Sequence, residues 1–263
     1  MYMGRRTTVT YCPTCGRALE ADARFCGGCG RAIGEHGTPS KRPSLFQALI
    51  RRFAKKPVAV KQLRALVKQH RPLVGHTVCL GSYPQTADGR QMPIEWQVIA
   101  EEGGRVLLLS RYGIDMRRYH EQKAPISWEY SDIRRYLNGR FADRAFSALE
   151  RKHIVSTFVR TERSELYRYE DGHVTRDRIF LLSREEAETY LPTETSRVTT
   201  PTPYAVRRGV LAHAEGSCRW WLRTPGRKAT SVCCVGYGGA IHGVGNYVNF
   251  DILALRPAMW ITL

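Results

Sequence analysis

The sequence predicts an α+β domain that follows a small cysteine-rich module. Segments that favour strands and segments that favour helices are grouped in separate stretches and do not alternate, which is typical of α+β folds. Two β-prone runs, residues 94–100 and 105–110, flank Gly103-Gly104 and predict a hairpin. The chain closes on residues 259–263, an uncharged β-prone run that predicts a buried last strand.

The elements between these strands follow from local signals. Residues 78–85 predict a first strand that runs into a turn. Ser131 is placed to cap a helix that we expect to end at Asn138-Gly139, and residues 141–146 and 148–154 predict further short helices. Residues 155–176 predict a long loop or a hairpin.

A strand over residues 177–183 and a helix over residues 184–190 complete the central part of the chain. Ser183 and Glu186 have the spacing of a capping box, in which each side chain bonds the other residue's backbone N–H. Residues 201–205 then predict a short helix that ends before Gly209.

The positive charge is concentrated at the N-terminal end. Of the net +17, residues 1–70 carry +11, from 14 Lys and Arg against 3 Asp and Glu, and residues 71–263 carry +6, from 27 against 21. Charge of this kind favours contact with nucleic acid or another anionic surface, and it also suits a solvated linker. No apolar run is long enough for a transmembrane helix and no signal-peptide core is present, so we expect a cytoplasmic protein.

The strongest motif in the chain is a pair of Cys-x-x-Cys units. Each pair is followed by glycine, and this spacing lets four thiolates converge on one tetrahedral Zn²⁺. A redox dithiol and an iron–sulfur cluster are the alternatives. The pattern resembles the bacterial zinc-ribbon family over residues 11–33, and the resemblance implies a structural zinc ion. The ligands would be Cys12, Cys15, Cys26 and Cys29.

Composition divides the chain into three parts. Residues 1–33 form the predicted zinc ribbon, residues 34–73 a basic linker with an amphipathic helix, and residues 74–263 the main domain. This basic amphipathic segment either packs its apolar stripe on the main domain or binds a partner, a membrane surface or nucleic acid, and we favour packing.

The last part of the chain sets the functional expectation. Residues 235–251 are rich in Gly, Asn, Tyr and His, and they lie between an aromatic block at residues 220–226 and the closing strand. We expect Trp220 and Trp221 to be buried. A turn-rich polar segment between rigid blocks suits the display of side chains for recognition, although a plain hairpin has the same composition.

Several blocks resemble a bacterial family known as a domain of unknown function. They lie at residues 81–85, 94–98, 107–115, 128–141, 180–183, 201–205, 220–226 and 255–263, and together span about residues 74–263. This resemblance implies no activity.

A second resemblance is to the C-type-lectin-like fold. It rests on the Trp220-Trp221 block, the Gly- and Asn-rich middle and the closing Arg256-Pro257-Ala258 strand. Formylglycine-generating enzymes share this fold, as do the variable proteins of diversity-generating retroelements, which place hypervariable residues in their last stretch. The resemblance implies a ligand-binding face made of Tyr237, His242, Val244, Asn246, Tyr247, Asn249, Phe250 and Asp251.

The residues give weaker support to catalysis. Residues 74–263 contain no nucleophile elbow, P-loop, zinc-protease motif or dinucleotide fingerprint. Cys233 and Cys234 are the candidate nucleophiles of an enzyme on a formylglycine-generating-type scaffold, but adjacent cysteines are more often small buried hydrophobes. We therefore expect a ligand-binding protein. The alternatives are that enzyme and a nucleic-acid-associated protein that uses residues 1–70.

Overall fold

The computed structural model describes residues 72–161 and 174–263, together with residues 10–11, 18–19, 58–59, 63, 65 and 69. The chain divides into two compact units, Met1–Arg52 and Phe53–Leu263. In the first unit, two short strands pair antiparallel, with Tyr11 opposite Ala18. The second unit is a mixed α+β structure that consists mostly of β-sheet with short helices. None of the described helices is long and apolar enough to cross a lipid bilayer.

The elements of the described residues are numbered in chain order. The strands are β1 (Thr10–Tyr11), β2 (Ala18–Leu19), β3 (Val58–Ala59), β4 (Thr77–Pro84), β5 (Gln91–Glu102), β6 (Arg105–Ser110), β7 (Asp115–Met116), β8 (Thr157–Arg160), β9 (Val174–Asp177), β10 (Trp220–Pro225), β11 (Ser231–Val235), β12 (Ile241–Tyr247), β13 (Ala254–Leu255) and β14 (Ala258–Thr262). The helices are α1 (Asp132–Tyr136), α2 (Ala142–Ala145), α3 (Ala148–Arg151), α4 (Arg184–Tyr190), α5 (Glu194–Arg197) and α6 (Pro203–Arg207), with a π-helical turn at Leu137–Phe141 between α1 and α2.

One five-stranded sheet has the order β14-β6-β5-β4-β3. The predicted hairpin is confirmed as β5 and β6, and both Gly103 and Gly104 have positive φ angles in the turn. The predicted last strand is confirmed as β14, which pairs antiparallel with β6. β3 pairs in parallel with β4, and Leu63 is fully buried in the core of the same unit. The predicted linker region therefore contributes a strand and a core residue to this unit.

The second five-stranded sheet has the order β12-β11-β10-β13-β7. β13 lies parallel to β10 and antiparallel to β7. Only Arg256 and Pro257 separate β13 from β14, so the chain passes from this sheet to the first one within two residues. A separate pair, β8 and β9, forms an antiparallel ladder, which agrees with the hairpin predicted in residues 155–176.

Buried tryptophans fix the core, and the indole N–H groups of Trp220 and Trp221 each have a partner. Trp220 and Trp221 are fully buried, as expected. The Trp220 indole donates to the carbonyl of Arg197 at 3.1 Å, and the Trp221 indole donates to the carbonyl of Arg117 at 2.9 Å. Satisfying these donors matters because an unpaired buried N–H destabilises a fold.

The structure confirms the predicted helix caps Ser131 and Ser183, each of which accepts a hydrogen bond from a backbone N–H in the first turn of its helix. Ser147, Thr193 and Thr202 cap three further helices in the same way. Ser183 and Glu186 form the predicted reciprocal capping box.

Two local predictions were wrong. The helix does not end at Asn138-Gly139 but continues through the π-helical turn. The predicted strand over residues 177–183 is instead β9 followed by an irregular segment. In that segment Asn138 accepts from the backbone N–H groups of Arg178 and Ile179, and its amide donates to the Ile179 carbonyl. These are the bonds that a neighbouring strand would otherwise make.

Candidate functional site

The predicted ligand-binding segment, residues 235–251, contains the edge strand of the second sheet. β12 pairs only with β11 in the described sheet, and β11 in turn lies beside β10. Every residue of β11 is buried, and only the last residue of β10 is not. β12 itself is half-buried or exposed throughout. The partly exposed edge strand β12 is therefore hydrogen-bonded to β11, and β11 and its neighbour β10 are almost completely buried and form the base of this surface.

Buried arginines hold this base. Arg256 donates to the Ser110 carbonyl at 3.0 Å and the Arg197 carbonyl at 3.1 Å, and its guanidinium lies 4.7 Å from the ring centroid of Trp220. Burial lowers the pKa of Arg256 to about 10. Arg256 thus links the crossing between the two sheets to the tryptophan block.

Two glycines shape the segment. Gly239 has φ +92°, and a Cβ there would lie 1.9 Å from the Glu194 carbonyl oxygen. Gly245 has φ +76°, and a Cβ there would lie 2.5 Å from the Val232 carbonyl oxygen. Both positions demand glycine, because a side chain would meet fixed backbone and because L residues rarely adopt this φ. The composition of the segment is therefore set partly by the path of the backbone.

One group of side chains at the predicted ligand-binding surface lies around Tyr237. The His213 ring centroid lies 5.3 Å from that of Tyr237, and the Arg219 guanidinium lies 5.9 Å from the Tyr237 centroid. Burial raises the pKa of Tyr237 although Arg219 opposes the shift, so the phenol is neutral at physiological pH. Arg219 also donates to the side-chain oxygen of Asn246 at 3.2 Å.

A second group gathers around Tyr247. The Lys123 ammonium lies 3.7 Å from the Tyr247 ring centroid and the Lys228 ammonium 5.9 Å from it. Phe250 meets Tyr247 edge to face at 5.8 Å between centroids. Cation–π contacts of this kind hold flexible lysines over a ring. The result is an aromatic patch with positive charge on its rim.

The remaining predicted ligand-binding residues are either exposed at the surface or bonded to neighbouring side chains that hold the surface in place. Val244 is 63% exposed, and His242 and Asp251 are also exposed. Asp251 pairs with Arg118 at 3.0 Å. Asn249 is half-buried. These residues therefore lie at the surface as expected, while Asn246 is engaged in holding Arg219.

Sequence reasoning missed several members of this surface. Arg219 and Lys228 lie outside the predicted segment, and Lys123 is more than 100 residues away from Tyr247. The Lys123 loop is fixed because the His120 N–H donates to the Val248 carbonyl at 2.9 Å. No local sequence signal points to such a contact, whereas Arg219 could have been noticed as the neighbour of the tryptophan block.

The candidate catalytic cysteines are buried. Cys233 is 2% exposed and Cys234 is fully buried. The Cys234 sulfur accepts from the Asn246 amide at 2.8 Å. Burial raises the pKa of the Cys234 thiol even though Arg219 opposes the shift. A raised pKa keeps the thiol protonated, which is the opposite of the activation that a nucleophilic cysteine needs.

The predicted zinc ligands Cys12, Cys15, Cys26 and Cys29 lie outside the described residues. β1 and β2 flank the first of these pairs in the sequence. In the part of the chain that the structure describes, no three His, Cys, Asp or Glu side chains are grouped to hold a metal.

These features define a class of protein: an α+β domain with a partly exposed edge-strand surface, preceded by a cysteine module. The chain belongs to the family described as a domain of unknown function (DUF6273), whose profile matches residues 103–263. The matched region begins after β5, so the blocks at residues 81–85 and 94–98 fall outside it. Residues 11–33 match a zinc-ribbon domain, which contains all four predicted ligands and supports zinc as the metal. No curated protein and no solved structure matches the chain.

Proposed function

We propose that the main domain binds a protein ligand through residues 235–251 and their neighbours Lys123, Arg219 and Lys228. One observation carries the proposal: β12 presents exposed and half-exposed side chains on two almost completely buried strands. Such a surface can vary its side chains while the buried base preserves the fold. The zinc ribbon and the basic region before the domain would tether it in an assembly within the cytoplasm.

The chemistry of the surface favours a protein over a small molecule. Tyr237, Tyr247 and Phe250 supply rigid aromatic area, and His242 and Asn249 supply adaptable hydrogen bonds, the combination found in antibody binding sites. The lysines beside Tyr247 add positive charge at the rim, which favours acidic partners.

The finer fold assignment belongs to the same proposal. Trp220, Trp221 and Arg256 are buried together, as the resemblance to the C-type-lectin-like fold requires. This shared burial supports the proposal that the chain is a variable protein of a diversity-generating retroelement. The alternative, an enzyme of the formylglycine-generating type, has less support because Cys233 and Cys234 are buried.

A matched pair of double variants tests the binding surface. Tyr247→Ala with Phe250→Ala removes the aromatic patch. Tyr130→Ala with Phe158→Ala removes the same residue types at exposed positions elsewhere, since their side chains are 63% and 75% exposed. Each full-length protein is immobilised, incubated with extract of its source cells and compared by quantitative mass spectrometry.

We expect a protein that the wild type and the Tyr130/Phe158 variant retain and that the Tyr247/Phe250 variant loses by about tenfold or more. The melting temperatures of both variants should stay near that of the wild type. Equal retention by both variants would contradict the proposed surface.

The charge distribution favours nucleic acid as a second candidate partner, bound by residues 1–70 with their net charge of +11. Affinity for a labelled single-stranded oligonucleotide should then fall steeply with salt. Deleting residues 1–52 leaves β3 and Leu63 in place and should reduce both the affinity and its salt dependence. Affinity that persists unchanged would place the binding outside the N-terminal unit.

A further inference from the structure

A buried carboxylate organises a cluster of aromatic and basic side chains at β7. The Asp115 side chain is completely buried. It accepts hydrogen bonds from the Tyr83 hydroxyl at 2.7 Å, from Arg117 Nε at 3.1 Å and from Arg208 Nε at 3.4 Å. The Tyr83 hydroxyl also lies 2.8 Å from that of Tyr136. Three chain segments, at β4, β7 and the end of α6, meet at this carboxylate, and α1 joins them through the contact between Tyr136 and Tyr83.

The charges in this cluster do not cancel. Asp115 supplies one negative charge against the two guanidinium groups of Arg117 and Arg208. Burial, together with the nearby Asp115 carboxylate, raises the pKa of Tyr83, so its phenol stays neutral. The cluster therefore carries one uncompensated positive charge.

Arg117 and Arg208 are held through their Nε atoms, which leaves their Nη atoms able to bind another group. Each bonds Asp115 through Nε, and the Arg117 guanidinium also stacks 3.9 Å from the Tyr136 ring centroid. The side chains are 32% and 44% exposed. Within the described part of the chain, no acceptor bonds the Nη groups of either residue. Arginines fixed at Nε are preorganised, because little side-chain entropy remains to be lost on binding.

We propose that Arg117 and Arg208 form a binding site for one oxyanion, a carboxylate or a phosphate group, that their Nη atoms engage. Guanidinium groups bind such planar or tetrahedral oxyanions through paired N–H donors. One monoanion would neutralise the excess charge of the cluster. Asp115, Tyr83 and Tyr136 act as positioning residues beneath the site. The existence of this oxyanion site does not presuppose that residues 235–251 bind a ligand.

The alternative is that the cluster only ties four segments together. A structural role needs the Nε bonds to Asp115 but no added anion. The two readings therefore differ in whether a small anion binds saturably at the Nη ends.

An NMR titration of the full-length protein distinguishes the anion site from a purely structural cluster. Inorganic phosphate and acetate are the two probes, each added at constant ionic strength. The Nε–Hε groups of Arg117 and Arg208 are suitable NMR reporters, because hydrogen bonds to a buried carboxylate protect their protons from exchange with water. Because these two signals report only on the surroundings of Arg117 and Arg208, anions that bind to the basic N-terminal region are not mistaken for binding at this site. We expect saturable shifts of both signals.

Three conservative variants complete the test. Arg117→Lys and Arg208→Lys keep the charge but remove the paired donors, and each should weaken probe binding about tenfold or more, followed on the remaining arginine signal. Arg105→Lys is the control, because Arg105 is 35% exposed, pairs with Glu102 and lies over the Trp260 ring in a similar way. It should leave probe binding unchanged.

Each probe has a defined meaning. Saturation by phosphate alone supports a phosphate-bearing ligand, and saturation by acetate supports a carboxylate. The proposal is overturned if neither probe gives a saturable shift below about 100 mM, a range that covers even weak sites. It is also overturned if both Arg→Lys variants bind the probes as the wild type does.

Discussion

Arg223 of β10 and Glu186 of α4 form a bidentate ion pair. Both guanidinium Nη atoms donate to the carboxylate, with 2.7 Å between Nη2 and Oε1. The Arg223 side chain is 2% exposed and that of Glu186 is 28% exposed. Glu186 also accepts from the Ser183 N–H in the capping box, so one carboxylate fixes both the start of α4 and the buried face of β10.

Replacing Glu186 with Gln should destabilise the domain by about 2–3 kcal/mol. The change leaves the buried Arg223 charge without its counter-ion, which typically costs about 3–5 kcal/mol when both partners are buried, and less here because Glu186 is partly exposed. The free energy of unfolding is measured by urea denaturation.

Glu188→Gln is the matched control for this prediction. Glu188 lies on the same helix and pairs with Arg184, but both side chains are more than 40% exposed. An exposed pair is worth less than about 1 kcal/mol. Equal losses for the two variants would show that the Arg223 pair does not anchor β10.

The backbone of the binding segment should depend on Gly245. Gly245→Ala should cost about 1–3 kcal/mol, because the residue has φ +76° and its new methyl group would meet the Val232 carbonyl. Gly238→Ala should change stability by less than about 0.5 kcal/mol, because nothing lies within 4 Å of the added carbon and φ is not positive. Thermal unfolding of both variants checks the prediction. Similar losses for the two would mean that β12 is not held in this conformation.

The thiol of Cys234 should be inert in the folded protein. Burial raises the pKa of Cys234 and removes the thiol from solvent. Burial and the nearby Glu95 also raise the pKa of Cys79, but that thiol is partly exposed. Iodoacetamide labelling near pH 8, followed by peptide mass spectrometry, should therefore modify Cys79 faster than Cys234. Labelling of Cys234 should become comparable only in denaturant. Faster labelling of Cys234 in the native state would revive the enzyme alternative.

Local signals carried the fold predictions that were correct. The turn at Gly103-Gly104 and the capping box of Ser183 and Glu186 depend on residues within a few positions of each other, so the sequence displays them directly. The burial of Trp220 and Trp221 followed from side-chain chemistry alone.

The features that the sequence did not predict depend on contacts between distant segments of the chain. The irregular segment after β9 depends on Asn138, whose side-chain amide bonds the backbone of residues 178–179, about 40 positions away. Lys123 reaches Tyr247 only because the fold ties its loop to Val248. Likewise, nothing local to Asp115 announces that Tyr83 and Arg208 will share its carboxylate. Such long-range pairings leave no periodic trace in a single sequence.

The most direct test of the binding proposal compares residues 229–254 with the rest of the chain across near relatives of this locus. The account predicts that substitutions crowd into this window at the surface positions, such as Tyr237, Val244 and Phe250. It also predicts that they spare Cys234 and Val248, which are fully buried within the same window. An even spread along the chain, or changes that fall equally on buried and exposed positions of the window, would contradict a diversified binding surface.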